Sequence, residues 1–524
     1  MKVSLLITFL TIGISFSTMS QLVQTKRYEL EKENTDNYFN VTSVGDQGLI
    51  IFRDTDEYRR NEGDVWQIIA LDTALAEKWD QELLIDTKHI FKGFEQRNDR
   101  LYLLFSENDT PNSNYQLITV EVNDGAIKRY DIKNEIAIEL SHLIVVGDFM
   151  ILGGYVRYSP TFISYNLGDD KVDVIPGFFK DRSEIIDLRE NDNGTFNILT
   201  LEKAYEGFDL KLRTYAPEGD LLFEKTIEMS KDYSVMDGKC TGFVDGNIAI
   251  SGTYGRTVSS YSQGIYFVIV KPEGQKDIVR YFNYADLEHF FDYMGPKRSA
   301  RIKRKIESKM SKGKEFRYSS RLHMHQVQQH GDGYLLAAEI YNPQYEKLGS
   351  RSLYSPYAYG LGMDNDFYSS AARQDYVRRP GSSSQVQDAN HFEYLESVIL
   401  KLNSKGELQW DNSFKIENVE TFSLEPIVDF SRSMGKLNLV YKSEENINYK
   451  IINQSETITQ SQEKLKLENE ADVIKSTYDG VGNARHWYGD YFYVWGYHKV
   501  QNKLNPDVEN RRSVLFINKV MFEE

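Results

Sequence analysis

Short runs of consecutive apolar residues recur along the chain, each set behind a tight polar turn. Gly45-Asp46 precedes Leu49-Ile50-Ile51-Phe52, Asn98-Asp99 precedes Leu101-Tyr102-Leu103-Leu104-Phe105, and Gly147-Asp148 precedes Phe149-Met150-Ile151-Leu152. The arrangement returns at Asp192-Asn193-Gly194 before Phe196, at Asp245-Gly246 before Ile248, and at Gly331-Asp332-Gly333 before Tyr334. The last two copies are Gly435 before Leu437-Asn438-Leu439-Val440, and Gly489-Asp490 before Tyr491-Phe492-Tyr493-Val494-Trp495. Apolar runs of this length, bounded by turn residues, read as buried strands. Asn, Asp or Gly belong in the turns because a two-residue hairpin needs positive φ. The copies recur about every 50 residues, a period typical of four-stranded repeats.

A second signature supplies the outer half of each unit. Leu71-Asp72-Thr73-Ala74-Leu75-Ala76-Glu77-Lys78-Trp79-Asp80 aligns without gaps on Leu402-Asn403-Ser404-Lys405-Gly406-Glu407-Leu408-Gln409-Trp410-Asp411. Val122-Asn123-Asp124-Gly125 leading to Tyr130-Asp131 keeps the spacing, as does Tyr215 through Gly219 to Phe223. This is a strand, a turn and a second strand carrying an aromatic anchor. Four strands per unit make one propeller blade. The repeats therefore predict an all-β, eight-bladed β-propeller, with seven blades as the alternative because the turn at Gly435 is the weakest. The last unit has strands near 475–487, 491–497 and 513–522, and then no fourth. Residues 23–31 read as an orphan strand that fills this gap and latches the ring, removing an open edge. The pattern of 71–80 and 402–411 resembles the quinoprotein-like β-propeller superfamily. That superfamily includes pyrroloquinoline-quinone dehydrogenases and the scaffold propeller of the outer-membrane β-barrel assembly machinery. The resemblance implies the fold and no particular activity.

Composition supports strands. The 524 residues are 40% hydrophobic and 13% aromatic, with 35 Tyr and 28 Phe against 11 Pro, a balance that suits β-structure rather than disorder. The formal net charge of -16 opposes a nucleic-acid partner, since a polyanion is repelled. Residues 1–20 are of another kind. Lys2 is followed by an apolar run over 3–16 and small polar residues to Ser20, the layout of a secretory signal cleaved before Gln21. An uncleaved N-terminal anchor is the competing reading. Cleavage there leaves no Cys for a lipid anchor, and no later segment is apolar and long enough to span a bilayer. The expectation is a mature chain of 21–524, periplasmic or secreted, and not an integral membrane protein. Cys240 is the single cysteine, so no internal disulfide forms, and nothing beside it reads as an activating base.

Two insertions break the period around the sixth unit, at about 284–320 and 341–391. In a propeller both emerge on one face, joined there by the connections near 54–63, 107–114 and 501–511. Long loops on a rigid scaffold are where function tends to sit. The first insertion carries Lys297, Arg298, Arg301, Lys303, Arg304, Lys305, Lys309, Lys312 and Lys314, with Ile302, Ile306 and Met310 at helical spacing. It predicts a basic helix with one apolar stripe. Lys297, Arg298, Arg301, Arg304 and Lys305 are the candidate docking residues for an acidic partner or an anionic surface. The competing reading is a solvated charged helix clamping the blade edge. The second insertion offers Tyr354, Tyr357, Tyr359, Arg378 and Arg379, residue types enriched at interface hot spots. A loosely packed loop is the alternative.

Little in the chain speaks for catalysis. Gly-x-Ser-x-Gly, a P-loop, a dinucleotide fingerprint, a calcium loop and a Cys-rich zinc pattern are all missing from the sequence. Asp192-Asn193-Gly194-Thr195-Phe196 is similar to a sialidase Asp-box but one residue short, and it reads as a blade turn. His323 and His325, two apart on an inner strand, are the metal candidate, since alternation puts both imidazoles on one side. No cofactor is called for. The leading reading is a non-enzymatic exported scaffold. It binds a cell-envelope protein through its insertion-bearing face, for instance as a subunit capping or plugging an outer-membrane secretion channel. A carbohydrate-active propeller with paired carboxylates at the channel mouth is the alternative, and a quinone- or metal-dependent oxidoreductase the third.

Overall fold

The computed structural model describes residues 21–32, 38–177, 183–203, 208–243, 246–257, 261–271, 274–344, 391–421, 424–433, 435–478, 481–504 and 509–523. Eight antiparallel sheets succeed one another along these residues and form an eight-bladed β-propeller. Strands are lettered a to d within each blade, from the channel outward. Blade 1 spans strands from Tyr38–Ser43 to Glu77–Ile85, and blade 7 from Asp429–Ser433 to Glu456–Lys464. The weak turn at Gly435 therefore opens a complete blade, and the count is eight rather than seven.

The b strands are apolar on both faces because each blade is sandwiched between two neighbours. In blade 1, Leu49, Ile50, Ile51 and Phe52 are all buried. Ile50 and Phe52 pack toward blade 2, whereas Leu49 and Ile51 pack toward blade 8. The core is accordingly a set of wedges between blades, not one central mass. Outer d strands lack this sandwich and alternate with solvent, as Glu77–Ile85 does. Each a–b turn carries a left-handed residue: Asn98 has φ 51° and Gly147 φ 58°.

The c–d signature has a common physical basis. Asp72 Oδ1 accepts the amides of Ala74 and Ala76, both at 2.8 Å. Asn403 Oδ1 does the same for Lys405 and Glu407, both at 2.9 Å. The aromatic anchor then staples adjacent blades: Trp79 Nε1 of blade 1 donates to the Val122 carbonyl of blade 2 at 2.8 Å.

The ring closes as the orphan strand predicts. Gln21–Lys32 pairs antiparallel with Arg511–Glu523, from Gln21 opposite Glu523 to Lys32 opposite Ser513. It thereby becomes strand d of blade 8. Two details differ from the sequence reading. The stretch 54–63 is no open connection, because strands b and c of blade 1 run on to pair Arg59 with Gly63. Strand a is interrupted by an extra residue or a break in several blades, at Lys92, Ser141, Ile186 and His325 among others. Residues 1–20 lie outside the described residues, and so does most of the second insertion, including Tyr354, Tyr357, Tyr359, Arg378 and Arg379.

Candidate functional site

The first insertion leaves blade 5 after Asn283 and returns at Ser320, before strand a of blade 6 (Leu322–His330). Its root is a knot of aromatic contacts. Asn283 caps a single turn at Tyr284–Asp286 by accepting the Ala285 amide at 2.9 Å, and its own backbone amide donates to the Asp286 carboxylate at 3.1 Å. Tyr284 is buried and stacks on Phe290, ring centroids 4.1 Å apart. Phe291 meets Tyr318 edge-on at 5.0 Å. The carboxylate of Asp411, from the Trp410-Asp411 signature, accepts the amides of Glu288 and His289 at 3.0 and 2.8 Å. That side chain pins the insertion to strand d of blade 6. Ser262, in the b–c connection of blade 5, bridges to Ser320, so that connection meets the end of the first insertion on this face.

Helix α1 (Pro296–Met310) stands on this root. Pro296 opens it, as suits a position whose N–H has no helical partner. Ser299 and Ile306 are buried and Ile302 half-buried against the inter-blade core. The predicted stripe stops there: Met310 is 57% exposed, because the chain turns back at Gly313 before a third contact forms. Lys303 is tied to the root through Asp292 at 3.4 Å, and Asp292 Oδ2 also lies 2.9 Å from His289 Nδ1. Burial alone would raise Asp292, but the His289 hydrogen bond and the Lys303 ammonium outweigh it and hold the carboxyl below its ordinary value.

The opposite face of α1 is cationic. Arg301, Arg304, Lys305, Ser308 and Lys309 line a surface groove of about 690 Å³, walled on its far side by Phe316 from the returning segment. These helical positions are three and four apart, so one side of α1 presents all of them. Lys309 Nζ lies 5.4 Å from the Phe316 ring centroid, within cation–π range. Three candidates from the sequence, Arg301, Arg304 and Lys305, are thus brought together. Lys297 and Arg298 are exposed on the first turn, outside the lining. Ser308, Lys309 and Phe316 were missed. Helical spacing from Arg301 and Lys305 is the signal that finds Ser308 and Lys309; nothing in the sequence pointed to Phe316.

The metal candidates fare differently. His323 and His325 are buried, their ring centroids 6.2 Å apart. His325 is itself the extra residue of the strand irregularity, and the two rings lie close to one another across it. Burial, with the Lys239 ammonium adding to it, pushes His323 down to about 3, and His325 is also pushed well down. Both rings are neutral, and neither Nε2 has a hydrogen-bond partner among the described residues. The nearest carboxylate, Glu339, lies 3.6 Å from His325 Nε2 but accepts the amides of Ile427 and Val428. Among the described residues, no group of three or more His, Cys, Asp or Glu side chains is arranged to hold a metal. Cys240 is buried, its Sγ donating to Asp187 Oδ2 at 3.0 Å, and burial raises its thiol. It is no nucleophile in this state. Residues 192–196 form the a–b turn of blade 4, closed by the Asn191 amide on the Thr195 carbonyl at 2.8 Å. Among the described residues, no helix is long and apolar enough to cross a membrane.

No protein-family model matches the chain, and no curated protein matches it. Among solved structures it is similar to a polysaccharide lyase, Uly1, at 10% identity over 92% of this chain and 99% of that one, with a TM-score of 0.37. It is similar to dihydro-heme d1 dehydrogenase NirN at 10% identity over 95% and 78%, with a TM-score of 0.40. The propeller of Dos1 matches at 8% identity over 83% and 92%, with a TM-score of 0.38.

Proposed function

We propose that this chain is an exported binding scaffold that docks an acidic cell-envelope partner through the face carrying α1. The observation behind this reading is the groove of Arg301, Arg304, Lys305 and Lys309 on a protein whose net charge is -16. Self-docking explains the apolar side of α1 but not this one. Like charges three and four apart cost a helix a few tenths of a kcal/mol per pair. The first turn holds Lys297 and Arg298 with no acidic residue, against the helix dipole. A basic face kept at that cost, on a rigid scaffold, is suited to an anionic partner. The leader-like residues 1–20 are the ground for placing the protein outside the cytoplasm. A concrete form is a subunit that caps or plugs an outer-membrane secretion channel.

The test is capture from native envelopes on the tagged mature chain, beside the variant Arg301→Ala/Arg304→Ala/Lys305→Ala. A stoichiometric acidic partner should be retained by the wild type, released by 0.5 M salt, and absent with the variant. Purified partner should then bind the wild type directly. Identical captures from both chains, or no partner from either, overturn the reading.

A further inference from the structure

We infer that the groove of α1 is a receptor for a phosphorylated saccharide, with the phosphate held by Arg301, Arg304 and Lys305 and the sugar ring laid on Phe316. The inference deepens the docking reading, on which it rests, by naming the chemistry that the partner displays.

The groove is lined by Arg301, Arg304, Lys305, Ser308, Lys309 and Phe316, and no carboxylate is among them. Three acidic groups of the insertion are engaged elsewhere, while Glu288 and the exposed Glu307 of α1 lie outside the lining. Asp292 serves His289 and Lys303. Glu315 serves Arg256 at 3.0 Å and Arg317 at 3.2 Å. Asp286 serves the Asn283 amide. The lining therefore supplies four cations and no carboxylate, which favours an occupant bringing more than one negative charge. A phosphate ester carries about -1.5 to -2 at neutral pH, with three strong acceptor oxygens. Planar guanidinium forks match those oxygens two at a time.

Size and lining choose between phosphate-bearing ligands. From Arg301 to Lys309 the helix rises about 12 Å, longer than one phosphate ion. A volume of about 690 Å³ falls within the range of sites for small organic ligands, roughly 300–1,000 Å³. The aromatic wall is Phe316, partly packed on the core and with Lys309 5.4 Å from its centroid, and the part of the ring left open is a platform for the apolar face of a sugar. The remaining groups are ammonium, guanidinium and hydroxyl donors, which suit sugar oxygens. A nucleobase edge also presents donors of its own, and only the Ser308 hydroxyl could accept from them.

The experiment is calorimetric titration of the mature chain in 50 mM NaCl with glucose 1,6-bisphosphate, glucose 6-phosphate, inorganic phosphate and glucose. The expected order is bisphosphate tightest, then monophosphate, then inorganic phosphate at least fivefold weaker, with glucose silent. Arg301→Ala/Arg304→Ala should weaken glucose 6-phosphate at least tenfold. Phe316→Leu, which keeps an apolar side chain against the core, should bring glucose 6-phosphate down to the level of inorganic phosphate and leave the latter unchanged. Flotation with vesicles carrying a phosphorylated glycolipid in phosphatidylcholine separates the sources. Retention names a lipid headgroup; soluble ester binding without retention names a free phosphosugar. Glucose 6-phosphate binding no tighter than inorganic phosphate, or equally in the arginine variant, overturns the inference. If esters fail to bind while envelope capture still depends on the three basic residues, the docking reading survives alone. If esters bind and no partner is captured, the docking reading fails alone.

Discussion

Arg27 donates from Nη1 to the side-chain oxygen of Asn518, 491 residues further on, at 2.7 Å. The same guanidinium pairs with Glu29 at 2.6 Å and lies 4.4 Å from the centre of the Phe516 ring. Around it Arg512 reaches Glu29 at 3.5 Å and Glu31 at 2.9 Å and also pairs with buried Asp472. The latch between the two ends of the chain is thus a buried charge network laid over a strand pairing. Removing one member strands the others without compensation. Arg27→Ala should cost about 3 kcal/mol in urea unfolding, and deletion of 21–31 should abolish the cooperative transition. A loss under about 1 kcal/mol would mean that the network adds nothing to the backbone ladder.

Glu339 is the clearest source of pH dependence. Burial pushes its carboxyl up to about 8, against the amides of Val428 and Ile427, which pull it down. The folded chain keeps a proton that the unfolded chain releases near pH 4.5. Stability is therefore full below that value and is lost as pH rises toward 8, at up to about 1.4 kcal/mol per pH unit. In Glu339→Gln one oxygen can still accept both amides, as Oε1 does now. The variant should hold its urea midpoint across pH 5 to 8 while the wild type declines. Parallel curves would show that Glu339 is ionised in the fold.

The two buried histidines act in the opposite direction. With folded values below 6.5, they bind fewer protons than the unfolded chain. Stability is present above pH 6.5 and lost as pH falls below it. His323→Phe and His325→Leu should each be close to neutral at pH 8, since no hydrogen bond of Nε2 is broken. At pH 5 each should exceed the wild type by about 1–2 kcal/mol. A structural metal reverses this: chelator would lower the wild-type midpoint, and both variants would be less stable at pH 8.

The anchoring of α1 responds to pH through His289. Its hydrogen bond to Asp292 raises it, burial opposes this, and the charges of Asp411, Asp292 and Glu288 add to the rise. The attachment it provides is complete below pH 6.5 and fades as pH climbs through the raised value. Hydrogen exchange of the 296–310 amides, corrected for intrinsic rate, should show protection falling from pH 6 to 8.5. His289→Ala should be weakly protected throughout. Equal protection of wild type and variant at pH 6 would place the anchor in the apolar contacts of Ile302 and Ile306 alone.

Much of the architecture was legible without coordinates. An apolar run such as Leu49 to Phe52 is fully apolar only if both faces are covered, and a blade between two blades is the arrangement that covers them. The left-handed turn positions and the Asp72 and Asn403 caps are local events, set within a few residues, so they repeat visibly. The basic side of α1 was legible in part for the same reason: Arg301, Arg304 and Lys305 were read as one docking set, while Lys309 was left out of it and Lys297 and Arg298, outside the lining, were put in.

What the chain determined by itself, then, is the blade and its latch, since these follow from periodicity and turn chemistry, whereas the choice of eight blades over seven waited on the complete sheet behind Gly435. Tertiary structure alone decided the rest. Phe316 faces the cations because the chain folds back at Gly313, and Asp411 holds the insertion from 122 residues beyond His289. Likewise, His323 and His325 became neutral core groups through burial by neighbouring blades, which no two-residue spacing can report. Long-range contacts of this kind depend on where elements dock, and docking is fixed only when every wedge of the ring is packed.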